Sequence, residues 1–439
     1  MERKWASPTL RRPSPRHRRV SETLLVGAAT VVTIVATVLL VVGLLPVGDA
    51  GAGGAERGPV PPLPIERIAE LTTFEQPLLA EIAAYRTPRR AAALAGLAVA
   101  VVVPALLAAA FATGRARRLL RTVGRSPGTA VQVGAATASV LLLTALARFP
   151  LSAWAGIVQD GRYGFRTASG LGWLLDHLLV VGGRSLGVGF VTWMVVRIVL
   201  RRPSDWPARV TLLVAVVGPL ALLLHPLVAH PLLLPTTTLP DGEHREAVLA
   251  VLARSERDVT VLVGEASRRT TRRNAVATGL GPTERIVLHD TLLDLDPREV
   301  AAITAHELAH LERRDPLRAA LAPVPAVALL SLLVQRRLRR WRRPDVRILA
   351  AVAALVLAIE AAATPLAAGL TRTVELRTDV RSVTLSADPE AHLTLLRTFV
   401  VDGLADPDPP RWSVLLWATH PTPSERMRAV SGVGDPATR

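Results

Sequence analysis

The chain contains ten histidines and no cysteine, so any metal it carries is bound through nitrogen and oxygen. Two of the histidines share one pentapeptide, His306-Glu307-Leu308-Ala309-His310. On a helix, side chains four apart stand one above the other, so His306 and His310 can hold one zinc ion. Glu307 between them is then a base for water at the metal. A solvated helix with two incidental histidines is the competing reading of the same five residues. Two histidines also leave a catalytic zinc one protein ligand short. Further on, Glu375-Leu-Arg-Thr-Asp379 places two carboxylates at the same spacing. Glu375 is a candidate third ligand, and Asp379 a candidate to orient a ligating histidine. Beside arginines, such a pair also fits an ordinary solvated face.

These residues must be positioned by a chain that is half hydrophobic and only 20% charged, with mean hydropathy +0.35. Its apolar residues gather in long uncharged blocks, the mark of a polytopic membrane protein. Seven blocks are long enough to cross a bilayer, near 23–46, 91–113, 129–147, 171–200, 209–234, 319–335 and 346–370. A basic, disordered tail at 1–22 precedes a five-span membrane domain at 23–234, which includes an amphipathic helix at 65–85. The polar stretch 235–318 reads as helix 241–255, strands 259–263, 274–278 and 285–289, then a helix opening at Asp296-Pro297, where aspartate caps and proline suits the first turn. Two spans at 319–370 follow, and 371–439 forms a second polar region.

The net charge of +16 does not indicate a nucleic-acid partner. All but one of the 52 basic residues are arginine (Lys4 is the exception), and they cluster at the ends of apolar blocks. That is a topological pattern. The tail carries seven Lys/Arg, and the turns at 114–128, 197–209 and 335–347 carry five, four and seven. A seven-span count puts all four regions on one side. The positive-inside rule then predicts a multi-pass protein of the plasma membrane, its amino terminus cytoplasmic and both polar regions extracytoplasmic.

The combined residues resemble a known family. HELAH followed after two spans by ExxxD is similar to the type I CAAX prenyl endopeptidases, the Ste-type zinc metallopeptidases of metallopeptidase family forty-eight. Three further stretches share the likeness: Gln159–Ser169 before a span, the Asn274-Ala-Val-Ala-Thr278-Gly strand, and His420-Pro-Thr-Pro-Ser-Glu-Arg426 near the carboxy terminus. The resemblance runs from about residue 65 to 430. It departs from the family at Ala309, where glycine is frequent, and at Val380-Arg-Ser-Val after Asp379.

The resemblance implies a mainly α, seven-helix membrane protein with a small α+β zincin-like (gluzincin) metalloprotease domain. One zinc ion would be bound by His306, His310 and Glu375, with Glu307 as general base and His420 facing the tetrahedral oxyanion. Asp379 and Arg426 would support them, and Asn274, Ala275 and Thr278 would bind the extended substrate backbone. The expected partners are a peptide or membrane-protein substrate and the lipid bilayer. A signal-transducing protease that cleaves a repressor or sensor is the alternative within enzymes. An inactive scaffold of the same fold is the alternative outside them. A transporter would need matching halves, and the two halves of this chain do not match.

Overall fold

The computed structural model describes residues 60, 62–115, 128–338 and 346–432. The basic tail and the first expected span lie outside the described residues. The amphipathic segment expected at 65–85 is two helices, α1 (Ile65–Thr72) and α2 (Gln76–Thr113). The break falls before Pro77, which occupies the first turn of α2 and lacks the N–H that a continuing helix would need. α2 then runs on through the second span. Next come α3 (Thr129–Ala153), a π-helical turn at Trp154–Gln159, α4 (Gly170–Arg201) and α5 (Trp206–Leu233). α3 and α4 meet at two glycines. A Cβ on Gly134 would lie 2.7 Å from the Gly189 carbonyl, so only glycine permits that approach.

The polar stretch forms β1 (Thr236–Thr238), α6 (Glu243–Leu252), β2 (Thr260–Gly264), β3 (Ala275–Thr278), β4 (Arg285–His289) and α7 (Pro297–Glu312). The strands order as β1-β2-β4-β3, with β2 and β4 parallel and β3 antiparallel at the edge. β1 was not anticipated, since three threonines carry no alternating pattern. The sixth expected span is broken by its proline into α8 (Asp315–Leu321) and α9 (Pro323–Leu338).

The seventh expected span does not stop near residue 370. It belongs to α10 (Val346–Ser386), a single helix of 41 residues that continues through Glu375 and Asp379. α11 (Pro389–Val401), α12 (Arg411–Trp417) and α13 (Pro423–Ser431) complete the chain. Six described helical segments are long and apolar enough to cross a membrane.

The sheet, α7 and the carboxy-terminal helices gather at one end of these helices. At the amino-terminal end of α2, Arg86 donates to the Leu404 carbonyl and Arg90 pairs with Asp406. One core lies between the sheet and α7, built on Ile286, Leu288, Val300, Leu308 and Leu311. A second joins α2 to α11 and α13 through Ile82, Tyr85, Phe165, Leu393 and Met427.

Candidate metal centre

α7 starts where the sequence says it should: the Asp296 carboxylate accepts from Arg298 N–H, and Pro297 takes the first helical position. Val300, Ala302, Ala305, Leu308 and Ala309 are fully buried, so this helix is core on most of its circumference. The incidental-histidine reading fails here, because His306 is 8% exposed. The solvated-face reading of α10 fails for the same reason, since Glu375 and Asp379 are 5% and 2% exposed. Continuity of α10 brings them down against α7.

The two helices bring three donors together. His306 Nε2 lies 3.4 Å from Glu375 Oε2, and His310 Nε2 lies 3.5 Å from Glu375 Oε1. One atom from each of the three residues falls within 4.8 Å of the others. Each histidine turns its other nitrogen to a second carboxylate: His306 Nδ1 is 3.1 Å from Asp379 Oδ1, and His310 Nδ1 is 3.0 Å from Asp315 Oδ2. Carboxylates so placed orient ligating imidazoles, and the Nε2 atoms of both rings turn toward Glu375. Burial works against a charged His306, but Asp379 and Glu375 outweigh it and raise its pKa to about 9. A pocket that so favours cationic charge, with two imidazoles and one carboxylate as donors, fits a divalent metal of the zinc type.

Asp379 is held in turn by Arg426 on α13, whose guanidinium donates to both carboxylate oxygens at 2.6 and 2.8 Å. Burial disfavours that cation, yet Asp379 overcomes the penalty and keeps Arg426 more firmly protonated than usual. His420, in the loop before α13, has Nδ1 at 2.8 Å from Glu375 Oε2 and a side chain 60% exposed. Arg372 shapes the approach to this loop by donating to the Val414 and Ala418 carbonyls.

Glu307 sits between α7 and the sheet edge. Its Oε2 accepts from the Ala277 N–H of β3 at 2.7 Å. The register explains why this N–H is free to do so. His289 N–H donates to the Asn274 carbonyl, so residues 274, 276 and 278 bond to β4 and alternate residues face away from it. Ala275 and Ala277 therefore present their backbone groups at the open edge. Asn274 is exposed at the start of this edge. Thr278 does not turn its hydroxyl to the open edge; Oγ1 shares a 3.1 Å hydrogen bond with His225 Nδ1 on α5.

Sequence reasoning missed Asp315, His225 and Thr378, whose hydroxyl is 3.4 Å from His310 Nδ1. Asp315 carried one readable signal, an Asp-Pro helix start five residues beyond His310. His225 carried the signal of an ionisable residue inside an apolar span.

Residues 239–433 match peptidase family M48. The chain is 25% identical over 306 residues to the uncharacterized metalloprotease YhfN of Bacillus subtilis, covering 65% of this chain and 70% of that protein. It is 28% identical over 174 residues to CAAX prenyl protease 1 of Saccharomyces cerevisiae, covering 39% of this chain and only 38% of the yeast enzyme. In fold it is similar to the crystal structure of S. mikatae Ste24p, with TM-score 0.58 and 21% identity over 71% of this chain and 77% of that one. At that identity the structural likeness concerns the fold alone. Residues 239–433 thus match peptidase family M48, and with its His-His-Glu group and its apolar helices the chain is similar to multi-pass membrane metalloproteases of that family.

Proposed function

We propose that the protein is a zinc metalloendopeptidase that hydrolyses peptide bonds of membrane-associated proteins or peptides. The observation that carries this reading is the convergence of His306 and His310 Nε2 on Glu375 beside a Glu307 tied to the open sheet edge. His306, His310 and Glu375 would hold the zinc, with Asp379 and Asp315 fixing the two imidazoles. When bound, zinc supplies Lewis acidity, bringing the pKa of water toward neutrality and polarising the scissile carbonyl. Glu307 takes the proton from the attacking water and returns it to the leaving amine. The Ala277 N–H occupies Glu307 Oε2, which leaves Oε1 for that transfer.

The substrate adds as an extended strand to the Ala275–Ala277 edge, pairing main chain with main chain. Asn274 borders that strand. His420, oriented by Glu375 through Nδ1, directs Nε2 at the developing oxyanion. Arg426 acts through Asp379. The complete donor set argues against an inactive scaffold. Prenylated CAAX proteins are one candidate substrate class, brought by the name of the yeast relative. The arginine clusters fall, in sequence order, on the side of the spans opposite to the peptidase elements, which supports a plasma-membrane orientation with those elements extracytoplasmic.

The test is cleavage of a casein-type or farnesylated peptide by purified detergent-solubilised protein, with zinc quantified and Glu307→Gln as control. The expected result is about one zinc per chain. Glu307→Gln should retain the metal and lose cleavage by at least about a hundredfold. Protein that never retains zinc, even after reconstitution, refutes the site and the activity built on it.

A further inference from the structure

β3, the edge strand beside Glu307, is suspended between two membrane elements. On its amino-terminal side the loop 269–273 is bound to the segment joining α3 and α4. Thr270 and Thr271 donate their hydroxyls to the Phe165 and Gly164 carbonyls at 2.8 and 3.0 Å, and Arg272 pairs with Asp160 at 3.2 Å. On its carboxy-terminal side the contacts go to α5. Thr278 meets His225 at 3.1 Å, and Thr283 donates its hydroxyl to the Leu223 carbonyl at 3.0 Å. His225 stands among Leu222, Leu223, Leu224 and Leu227 in a helix apolar enough to cross a membrane. A histidine there is costly in lipid, so its presence calls for a specific use.

We infer that His225 is a positioning residue of the active site, acting through Thr278 to hold the substrate-pairing edge of β3 in register with Glu307. This rests on the reading of β3 as the substrate strand. Thr278 is one residue from Ala277, whose N–H meets Glu307. Thr278 is also 4% exposed, so its hydroxyl has little access to water if His225 is removed. Without His225 the carboxy-terminal side keeps only the Thr283 contact to Leu223, five residues beyond Thr278, and the strand loses alignment where it pairs with substrate. The zinc ligands, carried by α7 and α10, would not move.

The test is steady-state cleavage of the peptide used above, with zinc content, for His225→Ala, His225→Asn, Thr278→Val and the double variant His225→Ala/Thr278→Val. Losing one hydrogen bond predicts a fall in kcat/KM of about fivefold to tenfold in His225→Ala, carried mainly by KM, with zinc stoichiometry unchanged. His225→Asn, whose amide nitrogen lies near the place of Nδ1, should restore most of it. Thr278→Val should match His225→Ala, and the double variant should be no worse than either, as a shared contact requires. Wild-type KM in His225→Ala, or losses that multiply in the double variant, would overturn the inference while leaving the peptidase reading intact. If His225→Ala fails to fold, Thr278→Val and His225→Asn decide it alone. A zinc-loaded wild type that cleaves nothing would overturn both readings, and that is seen before any variant is measured.

Discussion

Asp315 offers the sharpest test of how the metal centre is organised, because its role follows from geometry alone. Its Oδ2 lies 3.0 Å from His310 Nδ1, and its side chain is 11% exposed. Its other charged neighbours, Arg313 and Arg318, are 3.9 and 3.8 Å away and not closely bonded. Asp315→Asn keeps the shape and removes the charge that orients and polarises His310. Loss of such a partner weakens metal binding about tenfold to a hundredfold, or roughly 1.5–3 kcal/mol. Asp379→Asn should weaken zinc binding by a similar factor but carries a second cost. The Asp379 side chain is buried and bound by both arms of Arg426, so the variant leaves a buried guanidinium unpaired. Breaking a buried pair from one side costs about 3–5 kcal/mol of stability.

Competition against a chromophoric zinc chelator, beside thermal unfolding of the chelator-stripped protein, separates the two effects. Asp315→Asn should lose affinity and keep its unfolding temperature, whereas Asp379→Asn should lose both. Zinc affinity within twofold of wild type in a folded Asp315→Asn protein would refute the orienting role. Equal stability of the two stripped variants would refute the account of Arg426.

Two further outcomes are expected. Burial pushes the His392 imidazole down to about 4 from its usual 6.5, so it is neutral when folded and takes up a proton readily only when unfolded. Its share of stability is present above pH 6.5 and is lost as pH falls toward 4, reaching about 3 kcal/mol. Denaturant unfolding of wild type and His392→Gln between pH 7 and 4 should diverge by that slope, and parallel curves would contradict it. The second outcome uses the absence of cysteine, which makes the chain its own background for labelling. Asp241→Cys, at a side chain 95% exposed beside the sheet, should react with a membrane-impermeant maleimide in intact cells. Ser204→Cys, between α4 and α5, should react only after permeabilisation, and the reverse pattern would invert the proposed orientation.

The sequence alone determined those features that depend on near neighbours along the chain. Runs of apolar residues located the six described membrane helices, because crossing a bilayer requires about 20 such residues in succession. The spacing of His306 and His310 placed both on one helical face, and Asp296-Pro297 marked where that helix begins. Composition misled at the boundary near residue 370, where charged residues begin while the helix continues to Ser386. Tertiary structure decided the rest. Whether Glu375 and Asp379 face water or metal depends on α10 packing against α7 across 65 or more residues of chain, and no local pattern encodes that contact. Asp315 reaches His310 because the chain turns at Arg314, a non-glycine residue in the left-handed region at φ 55°. Thr278 meets a histidine 53 residues earlier, in a membrane helix. Periodicity fixes which face of an element a side chain occupies, whereas long-range packing chooses what that face meets.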